Sequence, residues 1–395
     1  MSRLRTFSTL GLLALGGLGS PAPRTASAQQ YAVTDLGANT LPRAVNPAGQ
    51  VAGGVSYTTT TNKVTTSYSR AFLWTPSVSN GTTGKTLVLG TLGGMSSNAL
   101  GLRGDGTVIG RADTAQLTSS GTPVYHAFVW DATRGMRDLN TIFGPNGVSA
   151  AGLGWNLSGA IAINAGGQVV GEGTNPGWPG AWSFVWELDG LGNVHVRPTP
   201  LSDNVKYVID RMGLNAAGQV AQYAYDASGY RRACVWSRDA AGNGTSAFLP
   251  FLASGTHSEA TDINNPAYDS LGNLTRPAQV VGFSTTYYLN GPFRAFVWDA
   301  QNGIKDLGTL GGTTTIAYGI NDASQVVGRS SDSSAPYVAF LWDPVSGIRN
   351  LSKISDVGTV WSLSDAIAIS NAPAAQIVGP GKLSGANHGF LLTPK

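Results

Sequence analysis

Apolar positions along this chain fall in runs of three to six residues, set apart by Gly, Asn, Asp and Pro. Runs of this length suit β-strands and are too short for helices. The most regular run is Arg70-Ala-Phe-Leu-Trp74. It returns as His126-Ala-Phe-Val-Trp130, Trp182-Ser-Phe-Val-Trp186, Arg232-Ala-Cys-Val-Trp236, Arg294-Ala-Phe-Val-Trp298, Val338-Ala-Phe-Leu-Trp342 and His388-Gly-Phe-Leu-Leu392. Successive copies begin 56, 56, 50, 62, 44 and 50 residues apart. A period near 50 marks a repeat architecture, in which each unit leans on its neighbours.

Three further segments accompany that phrase in constant order. An Ala-x-Gly-Ile-Asn-like segment comes first, clearest at Ala317–Asn321, with related copies at Ile161–Asn164, Gly213–Asn215 and Thr261–Asn264. A Gln-Val-Val-Gly-like segment is second, at Gln168–Gly171, Gln279–Gly282, Gln325–Gly328 and Gln376–Gly379. The Phe-x-Trp phrase is third, and an Asp-Leu-Gly-like segment is fourth, as in Asp306–Gly308. The first and second are joined by Asn-x-x-Gly, the third and fourth by Trp-Asp-x-x-x-Gly. Both linkers have turn chemistry, because Asn and Asp bond nearby backbone and Gly accepts positive φ. The other two linkers are longer and variable. Four strands joined in this order form an antiparallel meander, the unit of a propeller blade.

The predicted fold is therefore all-β: a seven-bladed β-propeller of four-stranded antiparallel blades. The small Ala/Gly segment suits the crowded innermost strand. Phe and Trp, two apart in the third strand, point to one face, where blade meets blade. A buried Trp hides ~150–250 Å², an upper limit of roughly 4–6 kcal/mol before ordering entropy. The ends of the chain are complementary. Tyr31-Ala-Val-Thr-Asp35-Leu-Gly37 is a fourth segment without its first three, and the chain ends on a third segment at Phe390-Leu-Leu392 without its fourth. Pairing them closes the ring by N/C strand exchange and removes open edges.

These repeated segments resemble the HAF-family extracellular repeat proteins of bacteria, named for His-Ala-Phe, matched at His126-Ala127-Phe128. The longer consensus resembles Phe296-Val-Trp-Asp299, Gly303–Gly312, Gly319-Ile-Asn321 and Gln325-Val-Val-Gly328, and the likeness spans 30–395. It implies an exported protein and does not assign an activity. Blade four departs most, with Gln222 where Gly is expected and no Asp-Leu-Gly in Val196–Leu201, read here as its fourth segment.

Composition refines this picture at the N-terminus. Arg3 and Arg5, the apolar stretch from Leu10 to Leu18 and Ala26-Ser27-Ala28 read as a secretory signal peptide over 1–28, leaving one propeller domain over 29–395. The apolar stretch is too short to span a membrane, so no transmembrane span is expected in the mature chain. Removing 1–28 removes three of 25 basic residues and none of 22 acidic ones, so the mature net charge is 22 − 22 = 0. That excludes the basic footprint of a nucleic-acid-binding protein. Cys234, the single cysteine, replaces the Phe of the repeated phrase and reads as a buried apolar residue.

Candidate chemistry is sparse, and no cofactor is implied. His126 and His388 occupy the first position of the repeated phrase, where Arg70 and Arg294 also stand, which points to a structural role. His195 reads as a solvated strand residue. His257 and Glu259 fall short of the three or four ligands zinc takes. The Trp-Asp dipeptides read as turn residues. Irregularity collects in the long links, which the meander places on one face of the ring. Trp155 and Trp361 share one register there, and Trp178, Tyr57, Tyr287 and Tyr288 add aromatic surface. The expected function is a non-catalytic binding or interaction scaffold, exported to the periplasm, cell surface or medium. Its partner would be a glycan or a surface protein, met by Trp155, Glu172, Trp178, Trp361 and Asp365. Two alternatives stand beside it. One is a polysaccharide hydrolase or lyase using carboxylates such as Glu172, Glu259 and Asp365, which requires two carboxyls converging in one pocket. The other is a purely structural extracellular protein.

Overall fold

The computed structural model describes residues 30–142, 149–188, 199–200, 211–239, 244–253, 255–286, 291–333 and 337–395. Residues 1–28, read above as a signal peptide, and His195, Tyr287 and Tyr288 lie outside them. Seven antiparallel sheets follow one another as blades of a β-propeller, blade one over 40–88, two over 93–138, three over 156–200, four over 213–248, five over 258–306 and six over 311–350. Blade six shows the pattern plainly: Gly311–Ile320 is innermost, followed outward by Val326–Asp332, Val338–Asp343 and Gly347–Asn350. The outer strand Thr199–Pro200 completes blade three, so this part of the Val196–Leu201 segment belongs there and not to blade four, and the rest of the segment lies outside the described residues. In blade five an extra hairpin, Ala267–Tyr268 with Leu274–Arg276, lengthens the turn between first and second strands.

Blade seven is built from both ends of the chain. Tyr31–Ala38 is its outer strand and pairs with Ala386–Pro394, Val33 opposite Leu392 and Gly37 opposite Gly389. Ile377–Leu383 comes next, and the inner strand is divided into Trp361–Leu363 and Ala368–Ile369. The strand exchange expected from the two incomplete segments is present.

The core is seven separate apolar clusters, one at each junction between neighbouring blades. Between blades five and six, for example, Val281, Ala295 and Val297 meet Val326, Phe340 and Trp342. The third strand of each blade thus turns its Phe and Trp toward the blade before and its small and branched residues toward the blade after. Phe72, Phe128, Phe184, Phe296, Phe340 and Phe390 are all fully buried.

The second-strand glycine follows from this packing. A Cβ at Gly328 would strike the Ile316 carbonyl and press on the Phe340 ring, and one at Gly110 would meet the Asn98 carbonyl and Phe128. Blade four makes a paired exchange instead. Gln222 replaces the glycine and stands opposite Cys234, which replaces the Phe. Both are fully buried.

The first-strand Asn does more than form a turn. In blade six the Asn321 Nδ2 group donates to Gln325 Oε1 at 2.8 Å and to the Ser370 carbonyl of blade seven at 3.3 Å. Asn164 and Asn215 repeat this with Gln168 and Gln219 and the carbonyls of Asn215 and Asn264. Asn46 and Asn264 do so with Gln50 and Gln279 and the carbonyls of Arg103 and Asn321. A side-chain latch therefore ties each of these five blades to the next around the channel.

Candidate functional site

The meander fixes which ends of the strands face which side of the ring. The Asn-x-x-Gly and Asp-x-x-x-Gly turns share the tight-turn face. The Asp of the second turn accepts backbone N–H groups, as Asp343 Oδ1 does from Val345 at 3.0 Å and Ser346 at 2.7 Å. The Trp-Asp carboxylates are thus committed to turns, as their spacing implied. The repeat histidines are also structural. His126 Nδ1 stands 2.7 Å from Asp138, His388 Nδ1 2.9 Å from Asp35, and Arg294 3.1 Å from Asp306. The first residue of the repeated phrase thus pairs with an Asp of the fourth strand in these blades, which explains why both His and Arg serve at that position.

On the opposite, long-link face lies a cavity of about 670 Å³ at the seam of blades six, seven and one. Asn39 and Ser56 line it from blade one, Tyr337 from blade six, and Asp365, Lys382 and His388 from blade seven. Blade seven's divided inner strand brings Asp365 to the rim, where its carboxylate lies 3.5 Å from the Arg329 guanidinium. Arg329 in turn stacks 4.2 Å over the Tyr337 ring. Trp361 sets its edge against His388, ring centroids 6.1 Å apart. The wall therefore offers hydroxyl and amide hydrogen-bonding groups, both charge signs and an exposed aromatic face.

A second cavity, of about 390 Å³, occupies the central channel behind the tight-turn face. Its wall comes from the inner strands, which bulge at equivalent places: between Pro42 and Ala44, Ala99 and Gly101, Ala160 and Ala162, Ala260 and Asp262, and Ala317 and Gly319. The extra residue at each bulge lines the channel: Arg43, Leu100, Ile161, Thr261 and Tyr318. The next position is small in the other blades, at Ala44, Gly101, Ala162, Gly213, Gly319 and Ala368, and is a carboxylate only at Asp262. Asp262 accepts N–H bonds from Ile263 and, across the blade boundary, from Ile320, both at 2.9 Å. Burial outweighs these bonds and pushes its carboxyl up to about 7. Arg211 enters the channel from blade four, its guanidinium 4.1 Å from the centre of the Tyr318 ring. Burial, reinforced by the Arg43 charge, brings Arg211 down to about 10.

The sequence-derived residues separate into two groups. Trp155 is buried in the junction of blades two and three, 6% exposed, so it pins its own segment and offers no stacking face. Glu172 is 5% exposed on the second strand of blade three, its carboxylate over Gly159. Both are withdrawn from the surface because the bulky Trp and the strand register direct them inward. Trp178 begins the third strand of blade three, and its side chain lies outside the described residues. Of these, Trp361 and Asp365 come together near a cavity on blade seven, separated from blade three by blades one and two. Tyr57 stacks on Tyr68 of its own hairpin at 5.4 Å. Glu259 is in a strand, not a loop, held by Arg231 and His257, each at 3.1 Å. Neither cavity is lined by two of the three candidate carboxylates. Among the described residues no group of three His, Cys, Asp or Glu is placed to hold a metal ion, and no helix is long and apolar enough to cross a membrane. Sequence reasoning missed Tyr337, Lys382, Arg43, Arg211 and Asp262. A signal for Asp262 was available, since it breaks the small-residue pattern of the first segment.

No protein-family model and no curated protein matches the chain. Solved structures similar in fold include TolB from Acinetobacter baumannii, with 12% identity over 86% of this chain and 79% of that one, at a TM-score of 0.38. AofleA from Arthrobotrys oligospora is 9% identical over 94% and 88%, with a TM-score of 0.39. A mutant of the Aleuria aurantia lectin in complex with Fucalpha1-6GlcNAc is 10% identical over 82% and 94%, with a TM-score of 0.37. Likenesses this distant carry no functional argument, and the propeller is read from the chain's own sheets.

Proposed function

We propose that this chain is an exported HAF-type repeat propeller that acts as a non-catalytic binding scaffold, taking a glycan at the seam of blades six, seven and one. The observation that carries the reading is the composition of the 670 Å³ cavity. Sugars present many hydroxyls that both donate and accept, around faces of C–H groups. The matching wall has a carboxylate, amides and hydroxyls beside an aromatic ring. Asp365, Asn39 and Ser56 supply the first set, and Tyr337, 41% exposed, supplies the ring. The Arg329 bridge fixes both ends of the arrangement, since its guanidinium meets Asp365 on one side and Tyr337 on the other. A pocket held in place by strands and an ion pair loses little order on binding, which favours recognition.

The test is a glycan array probed with residues 29–395, followed by titration of any hit against Tyr337→Ala and Asp365→Ala. The expected result is saturable binding that each substitution weakens at least tenfold. A folded protein that binds no sugar, or whose binding ignores both substitutions, overturns the glycan reading.

A further inference from the structure

No acidic residue occurs between Asp35 and Asp105, so blade one carries Arg43, Lys63, Arg70 and Lys85 with no acid of its own. Arg70 is the sharpest case. Five copies of the third-strand phrase begin with Arg or His, and in four of them a carboxylate stands close. His126 is 2.7 Å from Asp138, Arg232 3.5 Å from Asp226, Arg294 3.1 Å from Asp306 and His388 2.9 Å from Asp35. In blade one the fourth-strand position opposite Phe72, held by Asp138, Asp306 and Asp35 in their blades, is Val88. Among the described residues no carboxylate lies within ion-pair distance of Arg70, whose guanidinium donates to the Ser69 carbonyl at 3.4 Å. What Arg70 meets instead is an aromatic stack. Its guanidinium lies 4.8 Å from the centre of the Tyr68 ring, which stacks on Tyr57 at 5.4 Å. The hairpin that carries both rings runs past its blade as an arm. The flanking strands pair no further than Val55 and Phe72, while the hairpin continues to Thr61 and Val64. Alternation puts Tyr57, Tyr68 and Arg70 on the strand faces of Val51, Phe72 and Trp74, which pack against blade seven. Lys382 of blade seven lies on the face of Val378, a member of the same cluster, and so looks toward blade one. Among the described residues it too has no carboxylate within ion-pair distance. Asp365, which shares its cavity, and Asp35 are engaged by Arg329 and His388.

We propose that the seam site extends along the blade-one arm and selects an acidic sugar chain, one bearing uronate carboxylates, read by Arg70 and Lys382. The inference rests on the glycan reading above and narrows its ligand class. Ser56 lines the seam cavity and Tyr57 follows it in the strand, so a chain seated in the cavity has the arm as its next surface. Tyr57 is 37% exposed and offers a ring to the C–H face of a sugar. A guanidinium grips a carboxylate through two parallel hydrogen bonds, and Lys382 adds a point charge across the seam. An acidic chain repeats its charge from unit to unit, so cations on opposite sides of the seam can each meet one. A neutral chain gains nothing from either. The departure from the repeat that builds the site is Val88, which leaves Arg70 free for a ligand.

The test is calorimetric titration of residues 29–395, at constant ionic strength, with tetrasaccharides of galacturonan, alginate and hyaluronan. Each is compared with its methyl ester, which keeps the rings and length and removes the charge. At least one acid is expected to bind about tenfold or more tightly than its ester. Arg70→Gln and Lys382→Gln, each checked for a native melt, are expected to weaken the acid by about fivefold or more and to leave the ester unchanged. Tyr57→Ala weakens both forms. Lys85→Gln removes one charge from the exposed outer strand of blade one and leaves both forms unchanged, which separates this site from general attraction to a basic blade. Val88→Asp, at a position 45% exposed, gives Arg70 the partner that other blades provide. It is expected to weaken the acid as Arg70→Gln does, and it stands in for that variant should Arg70→Gln fail to fold. Acid and ester bound alike overturn the proposal and leave the glycan reading standing. Acid binding that ignores the folded variants of Arg70, Val88 and Lys382, or that Lys85→Gln weakens equally, also overturns it. A folded protein that binds neither acid nor ester removes both readings.

Discussion

Blade six and blade four solve the same packing problem in different ways. In blade six, Gly328 leaves room for the Ile316 carbonyl and the buried Phe340 ring, and the inner strand runs for ten residues, Gly311–Ile320. In blade four the glycine is Gln222, the ring is Cys234, and the named inner strand shrinks to Gly213–Leu214. Neither Gln222 amide atom has a hydrogen-bond partner among the described residues. The comparison shows that the repeat pattern is a packing rule with coupled positions.

The coupling is tested most severely by forcing blade four's solution onto blade six. Gly328→Gln alone drives a side chain into the Ile316 carbonyl and Phe340, and is expected to cost more than about 3 kcal/mol, at or beyond the upper end for overpacking. Adding Phe340→Cys is expected to recover about 1 kcal/mol or more of that loss, read as a non-additive term in a double-mutant cycle by denaturant unfolding. Strict additivity of the two changes breaks the comparison.

Removing a junction ring comes next. Trp342 is 5% exposed between blades five and six, and Trp342→Ala is expected to cost about 3–5 kcal/mol. A thermal melt shifted by less than a degree contradicts the placement of the core between blades. The latch is a smaller effect. Asn321→Ala removes two donors and leaves the half-buried Gln325 and buried Ser370 acceptors without them, at a cost of about 1–3 kcal/mol. Denaturant midpoints for Asn321→Ala and the equivalent Asn164→Ala should fall together.

A further expected effect is a pH dependence. Asp262 is raised by burial from 3.8 to about 7 in the folded state. The folded protein therefore holds this proton more tightly than the unfolded chain, and stability is lost as pH climbs from the unfolded value through the folded one. The unfolding free energy of the wild type relative to Asp262→Ala should decline from about pH 4 to pH 7 and level off above it. A relative stability that rises over that window reverses the sign and removes burial as the dominant cause.

The fold was legible in the sequence because its signals repeat. Seven copies of one phrase give the blade number, the alternation of tight and long links gives the meander, and the incomplete terminal segments give the closure. The latch was not legible. Asn-x-x-Gly satisfies turn chemistry by itself, and only coordinates show the Asn side chain reaching the next blade. The candidate site was only half legible. Irregular links drew attention to Asp365 and Trp361, which lie near a cavity, while Trp155 and Glu172 are withdrawn from the surface, since a long link does not tell whether its aromatic faces out or in, and a strand does not tell which face is covered. Arg43 was overlooked because a bulge, which decides what points into the channel, leaves no mark in a single sequence.

Hydrogen exchange measured by mass spectrometry tests the closed ring most directly. If Tyr31–Ala38 is the outer strand of blade seven, its amides are protected alongside those of Ala386–Pro394, and deleting residues 30–38 strips protection from the C-terminal strand as well. Free exchange across 31–38 in the intact protein, with full protection of 386–394, would contradict the ring.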